Sequence, residues 1–161
     1  QKRPGHFEGV VQIVTKLLKI ILPDNAYFGE KDFQQLLIVK KLAKENFNQI
    51  NIVSCDTIRD KNGIAKSSRN KKLNTEELMA AQSIYRFLCE IKTNISKWGV
   101  EKSKKHAQKY FSEYSKINLD YFEIIEQESF SFTKQISNKK NYRAMIAVKI
   151  GKIRLIDNLK L

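Results

Sequence analysis

The chain is poor in the residues that build disulfide-knit or thiolate-metal domains. Its two cysteines, Cys55 and Cys89, stand in unrelated contexts, with no CxxC pair. Reduced thiols in a cytoplasm are the simplest reading, and no metal cluster is expected. There are only two histidines, His6 and His106. His6 reads as structural, and His106, among lysines, reads as a solvated residue on a surface helix. No apolar run is long enough to span a membrane. Gln1-Lys2-Arg3-Pro4 is not a signal peptide, because no apolar core follows the charged head. An initiator methionine is also absent.

Acidic residues are in the minority. Seventeen Asp and Glu face thirty Lys and Arg, a formal net charge of +13. A basic chain can bind nucleic acid. Such binders gather charge into a patch with stacking aromatics. Here the lysines are spread from Lys40 to Lys140, so no nucleic-acid partner is expected. The charge should help an anionic nucleotide approach. At 161 residues and 42% hydrophobic, the chain suits one ordinary domain or two small ones.

What is present centres on Ala26-Tyr27-Phe28-Gly29-Glu30-Lys31-Asp32. Three apolar residues suit the end of a buried strand. Gly29 permits a sharp turn. A helical pattern then follows through Phe33, Leu36, Leu37 and Leu42. Glu30, Lys31 and Asp32 therefore sit at a strand-to-helix turn, where open α/β sheets bind ligands. Free N–H groups at a helix start favour an anion, and Lys31 adds a full positive charge. Asp32 can accept hydrogen bonds from sugar hydroxyls. Gln35, about one turn on, can reach the same mouth. The competing reading is a solvated helix start with an acidic cap.

Around this turn the pattern predicts a largely buried helix over 10–22, ended by Pro23-Asp24-Asn25, and a β-branched strand over 50–54. Helix, strand, helix, strand reads as parallel α/β. Two strands do not make a stable doubly wound sheet, so the chain is expected to be the rear part of such a domain. Residues 55–72 read as a linker and a mobile loop. Ser67, Ser68 and Arg69 offer two hydroxyls and a guanidinium, suitable for a polyphosphate; a plain serine-rich loop is the alternative. Beyond it, Asn74 or Thr75 can cap a helix running to Trp98-Gly99, with a second helix over 100–114. Strands are expected over 119–126, 142–149 and 153–157, the last two joined by a Gly151-Lys152 hairpin.

The stretches Phe28-Gly29-Glu30-Lys31-Asp32-Phe33-Gln34-Gln35 and Arg59 through Asn70 together resemble the pantoate–β-alanine ligase family, in the nucleotidyltransferase superfamily. The opening Arg3-Pro4-Gly5-His6-Phe7 and Gly9-Val10 match it too. The resemblance is strong over residues 3–73 and faint beyond. It implies a Rossmann-like nucleotide-binding domain, its rear part over 1–57, and a small α+β lid domain with a three-stranded antiparallel sheet over 58–161. Residues 58–73 would be the hinge and phosphate-binding loop. The family's histidine-x-glycine-histidine turn has no counterpart here, which supports the expectation of a fragment that is inactive alone.

The resemblance further implies ATP-dependent joining of pantoate to β-alanine through a pantoyl adenylate, in a cytoplasmic homodimer. Lys31, Ser67, Ser68 and Arg69 would act on the phosphates, and Gly29, Glu30 and Asp32 would complete the ATP site with Ile58 and Lys66 beside the adenine. Lys66 stands where the family usually has methionine, which leaves the adenine packing open. Gln35, Ile13 and Val14 would hold pantoate. Magnesium would accompany ATP, with no protein ligand in this chain. The alternatives are another adenylyl-transferring enzyme of the superfamily and a basic nucleic-acid-binding module over 70–161.

Overall fold

The computed structural model describes residues 5–161; Arg3 and Pro4 of the opening motif lie outside the described residues. The chain divides into two compact units, Gln1–Thr57 and Ile58–Leu161.

In the first unit, α1 (His6–Ile21) leads to β1 (Asn25–Gly29), a single 3₁₀ turn (Glu30–Asp32), α2 (Phe33–Asn46) and β2 (Asn51–Cys55). The two strands pair in parallel, in register from Asn25 opposite Asn51 to Gly29 opposite Cys55. A parallel pair needs a crossover, and α2 is that crossover. Phe33, Leu36, Val39 and Ala43 recur every three or four residues along α2, and all are buried. Ala43 joins Leu18, Phe47 and Ile50 in a small core.

The helix α1 departs from expectation. It is apolar on more than one side, yet only Leu18 is buried, while Ile13, Leu17, Ile20 and Ile21 are 49–79% exposed. The reason is geometric. Within its unit, α1 packs chiefly on α2. One neighbouring helix covers one stripe of a helix that carries more.

The second unit is built on α3 (Thr75–Ser112) against an antiparallel sheet. Asn74 caps α3: its side chain accepts from the Glu77 N–H, and the Glu77 carboxylate accepts from the Asn74 N–H, both at 2.9 Å. At Gly99 the backbone leaves helical values (φ 68°, ψ 179°), so the long element is two helices meeting at a kink. Only glycine occupies that region without strain. Phe87 sits at the centre of the core, with rings of Phe111 and Phe122 at 5.0 and 5.1 Å edge-on. Full burial of such a side chain contributes about 1.5–3 kcal/mol.

The sheet has four strands rather than three, in the order β4-β3-β5-β6. They are β3 (Ile117–Glu126), β4 (Ser131–Phe132), β5 (Tyr142–Ile150) and β6 (Ile153–Lys160). The added strand β4 is two residues that pair with Ile125 and Glu126. Nothing so short carries an alternation a sequence can show. The two-residue turn between β5 and β6 is Gly151-Lys152, as the hairpin signal indicates.

His106 also departs from expectation. It stacks on Phe87 at 5.8 Å, meets the edge of Trp98 at 4.8 Å, and lies 2.9 Å from Glu90 Oε1 without the alignment of a hydrogen bond. It packs in the aromatic seam that joins the two halves of α3 and keeps only part of its side chain in solvent.

Candidate active site

Gly29, Glu30, Lys31 and Asp32 follow one another at the carboxyl end of β1. Gly29 is the last residue of the strand, and its backbone is ordinarily extended (φ −73°, ψ 134°), with open space where a Cβ would stand. No special backbone freedom is used there; glycine contributes a bare strand end. The chain then makes the 3₁₀ turn before α2 begins at Phe33, the first apolar residue of the helical pattern.

Asp32 precedes the first residue of α2 but makes no side-chain capping bond. Its Oδ2 instead lies 3.3 Å from the Lys31 ammonium. Asp32 is therefore not an acidic cap of α2. Asp32 is half exposed and Lys31 mostly covered, with 52% and 18% of their side chains accessible. Gln35 lies in the first turn of α2, partly buried. On α1, Ile13 is exposed while Val14 packs in part on the small core. Val14 thus serves the fold as well as any ligand.

The other named residues lie in the second unit, on a loop that is braced throughout. The Lys66 N–H donates to the Ile58 carbonyl at 2.9 Å, which brings these two residues opposite one another. Ile58 is 70% exposed, an unusual state for isoleucine, and Lys66 is exposed as well. Between them Arg59 bridges to Ala65. Asp60 Oδ1 accepts from the N–H groups of Asn62 and Ile64 and closes the tip. Gly63 holds φ at 87°, and a Cβ there would stand 2.5 Å from the Tyr85 ring.

Beyond the hairpin, Ser67 Oγ accepts from the Arg69 N–H at 3.2 Å and starts the 3₁₀ turn Ser68–Lys72. The Ser67 proton remains available to donate. Ser68 and Arg69 are exposed. Asn70 Nδ2 donates to the Ala65 carbonyl at 3.0 Å, and its Oδ1 is buried without a hydrogen-bond partner. The loop thus presents two hydroxyls and a guanidinium from a fixed frame. That equipment suits phosphate oxygens.

Sequence reasoning treated Arg59 as part of a polar turn and gave no place to Asp157. The structure joins them. Arg59 Nη1 and Nη2 reach Asp157 Oδ2 and Oδ1 at 2.5 and 2.9 Å. The guanidinium also lies 3.9 Å over the Tyr85 ring. The Tyr85 hydroxyl is held above its ordinary pKa, first by its hydrogen bond with the Cys89 thiol and then by burial. No local signal in the sequence could have linked positions 98 residues apart.

Among the described residues no group of three His, Cys, Asp or Glu side chains is arranged to hold a metal. A cavity of about 750 Å³ in the second unit is lined by Lys104, Lys116, Tyr121 and Glu123 among others, and shares no residue with the predicted site.

Comparison with known proteins fits this geometry. The family profile for pantoate-beta-alanine ligase matches residues 1–160, and the chain belongs to that family. The pantothenate synthetase of Flavobacterium psychrophilum is 44% identical over 159 residues, which are 99% of this chain and 56% of that protein. That of Bacteroides thetaiotaomicron is 37% identical, over 98% of this chain and 56% of its own length. Among solved structures, pantothenate synthetase from Thermus thermophilus superposes with a TM-score of 0.88 at 32% identity, covering 98% of this chain and 57% of that one. The pantoate-beta-alanine ligase of Francisella tularensis, complexed with beta-gamma ATP and beta-alanine, gives 0.70 at 34% identity, covering 99% and 52%. The chain spans a little over half the length of the relatives it matches.

Proposed function

We propose that this chain supplies one wall of an active site that joins pantoate to β-alanine with cleavage of ATP. The observation that carries the reading is the Gly29–Asp32 turn at the carboxyl end of a parallel strand, in a chain of this family. The reaction has two steps. A pantoate carboxylate oxygen attacks the α-phosphorus of ATP, and pyrophosphate leaves. The β-alanine amine then attacks the acyl carbon of the pantoyl adenylate, loses a proton, and AMP departs.

A carboxylate is a poor electrophile, so the first step makes the leaving group that the second needs. Negative charge gathers on the phosphate oxygens as the first step proceeds. Cations and donors fixed in advance stabilise it. Lys31, Ser67, Ser68 and Arg69 take that role. Asp32 and the bare backbone at Gly29 and Glu30 receive the ribose. Ile58 and Lys66, held opposite one another, flank the adenine, and the apolar Ile58 face is already exposed for it. Gln35 donates to pantoate, whose methyl groups meet Ile13 and Val14. The setting is a cytoplasmic homodimer by family resemblance. No described helix is long and apolar enough to cross a membrane.

The test is AMP formation by protein expressed from the whole coding sequence, with each substrate omitted in turn. AMP should require ATP, pantoate and β-alanine together, and pyrophosphate should require only ATP and pantoate. Equal turnover with an unrelated hydroxy acid would favour another adenylyl-transferring enzyme instead.

A further inference from the structure

The loop that carries Ser67, Ser68 and Arg69 is fastened at its far end by a buried polar network, and Arg59 is its hub. Nη1 donates to the Gly63 carbonyl at 3.0 Å and to Asp157 Oδ2 at 2.5 Å. Nη2 donates to Asp157 Oδ1 at 2.9 Å and to the Asn158 carbonyl at 3.3 Å. Four of the five N–H groups of a guanidinium are thus engaged inside the protein. One face of the guanidinium is taken by Tyr85. Arg59 is in no position to grip a nucleotide.

Its partners are fixed in turn. Asp157 is 4% exposed and accepts from the Asn158 N–H at 2.7 Å. Asn158 Oδ1 accepts from Arg143 Nη1 at 2.5 Å, and Arg143 Nε donates to Gln127 Oε1 at 3.2 Å. A buried ion pair adds little net stability compared with apolar packing, because both charges leave water. Here every oxygen of Asp157 has a donor, and the donors belong to the loop and to β6.

A continuous path runs from that pair to the phosphate-binding turn. Arg59 bridges Ala65, the Ala65 carbonyl accepts from Asn70 Nδ2, and the Asn70 N–H donates to the Ser67 carbonyl at 3.1 Å. We propose that Arg59 and Asp157 are a positioning pair, which sets the loop so that Ser67, Ser68 and Arg69 face the ATP phosphates without touching ATP themselves. The proposal rests on the ligase reading and deepens it. A shift of about 1 Å in a reacting group lowers turnover about 100-fold.

The experiment uses protein expressed from the whole coding sequence, with Asp157→Asn, which keeps the shape, and Arg59→Lys, which keeps the charge. Two readouts are taken on each: amide hydrogen exchange by residue, and KM and kcat for ATP and for β-alanine. Exchange should quicken over residues 59–69 while α3 and β5 stay protected. Turnover at low ATP should fall about 100-fold for Asp157→Asn, with KM for β-alanine unchanged. Arg59→Lys should retain more activity than Arg59→Ala, and Arg59→Ala with Asp157→Ala together should cost no more than either alone. Unchanged exchange in the loop would overturn the proposal. So would faster exchange across the whole unit with both KM values intact, since that is plain loss of stability. If the unaltered protein makes no pantothenate, the ligase reading fails, and the exchange data still decide whether the pair sets the loop.

Discussion

Lys31 and Asp32 hold one another: the Lys31 ammonium lies 3.3 Å from Asp32 Oδ2, between neighbours in sequence. On the proposed reading these two groups receive different parts of one nucleotide, phosphate and ribose. An ammonium has three N–H donors and a carboxylate two oxygens, so each group keeps capacity for the nucleotide beside this contact. A pair with one member half exposed is worth about 0–1 kcal/mol.

Lys31→Ala in the full-length protein should slow adenylate formation about 100- to 1000-fold, the usual loss when a donor to developing charge is removed from a dry site. Single-turnover pyrophosphate release measures this step alone. An unchanged rate would remove Lys31 from the mechanism.

Gln35→Ala should act on pantoate and spare ATP. A neutral hydrogen bond to a bound group contributes about 1 kcal/mol, so pantoate should bind roughly 5- to 10-fold more weakly. Titration calorimetry with each substrate separates the two. A larger loss for ATP would mean that Gln35 faces the nucleotide.

Gly63→Ala and Gly99→Ala should differ in kind. Both positions have positive φ, at 87° and 68°. At Gly99 a Cβ meets open space, so only backbone strain of about 1–3 kcal/mol is added. At Gly63 the Cβ also strikes the Tyr85 ring, which Arg59 pins from above. The sum should reach about 3 kcal/mol or more. Urea midpoints should fall for both, and further for Gly63→Ala.

The second unit should lose stability in alkali. Burial holds the hydroxyls of Tyr110 and Tyr121 above the ordinary tyrosine pKa, and Tyr85 is raised as well. A folded pKa above the unfolded one means that the native state keeps its proton longer. The stabilisation is present in full below about pH 10 and is lost as pH rises through the folded values. Phenolate absorbance should appear late and together with unfolding. Tyr110→Phe and Tyr121→Phe should each flatten the fall in stability above pH 10.

Much of this was legible from local signals, and the limits are physical. The spacing of Phe33, Leu36, Leu37 and Leu42 showed a helix within one short window, so α2 and the turn before it could be read directly, although its buried stripe is Phe33, Leu36, Val39 and Ala43. Trp98-Gly99 announced the kink in α3 for the same reason. The exposure of Ile13 and Ile20 could not be read, because periodicity shows which faces are apolar and not which are covered. His106 misled because its neighbours in sequence are lysines, whereas its neighbours in space are Phe87, Trp98 and Glu90. The charge that suggested nucleic acid is partly met at home, in pairs such as Lys104–Glu123 and Arg154–Asp120.

Arg59 and Asp157 are 98 residues apart, which has a consequence for assembly on the ribosome. Closing a loop of that length costs about 4 kcal/mol of chain entropy by the logarithmic rule. The contact also cannot form until β6 has left the exit tunnel. Until then the Ser67–Arg69 turn lacks its fastening, however complete the chain before it. A nascent chain should therefore acquire nucleotide affinity in one late step, after its helices and most of its sheet are in place.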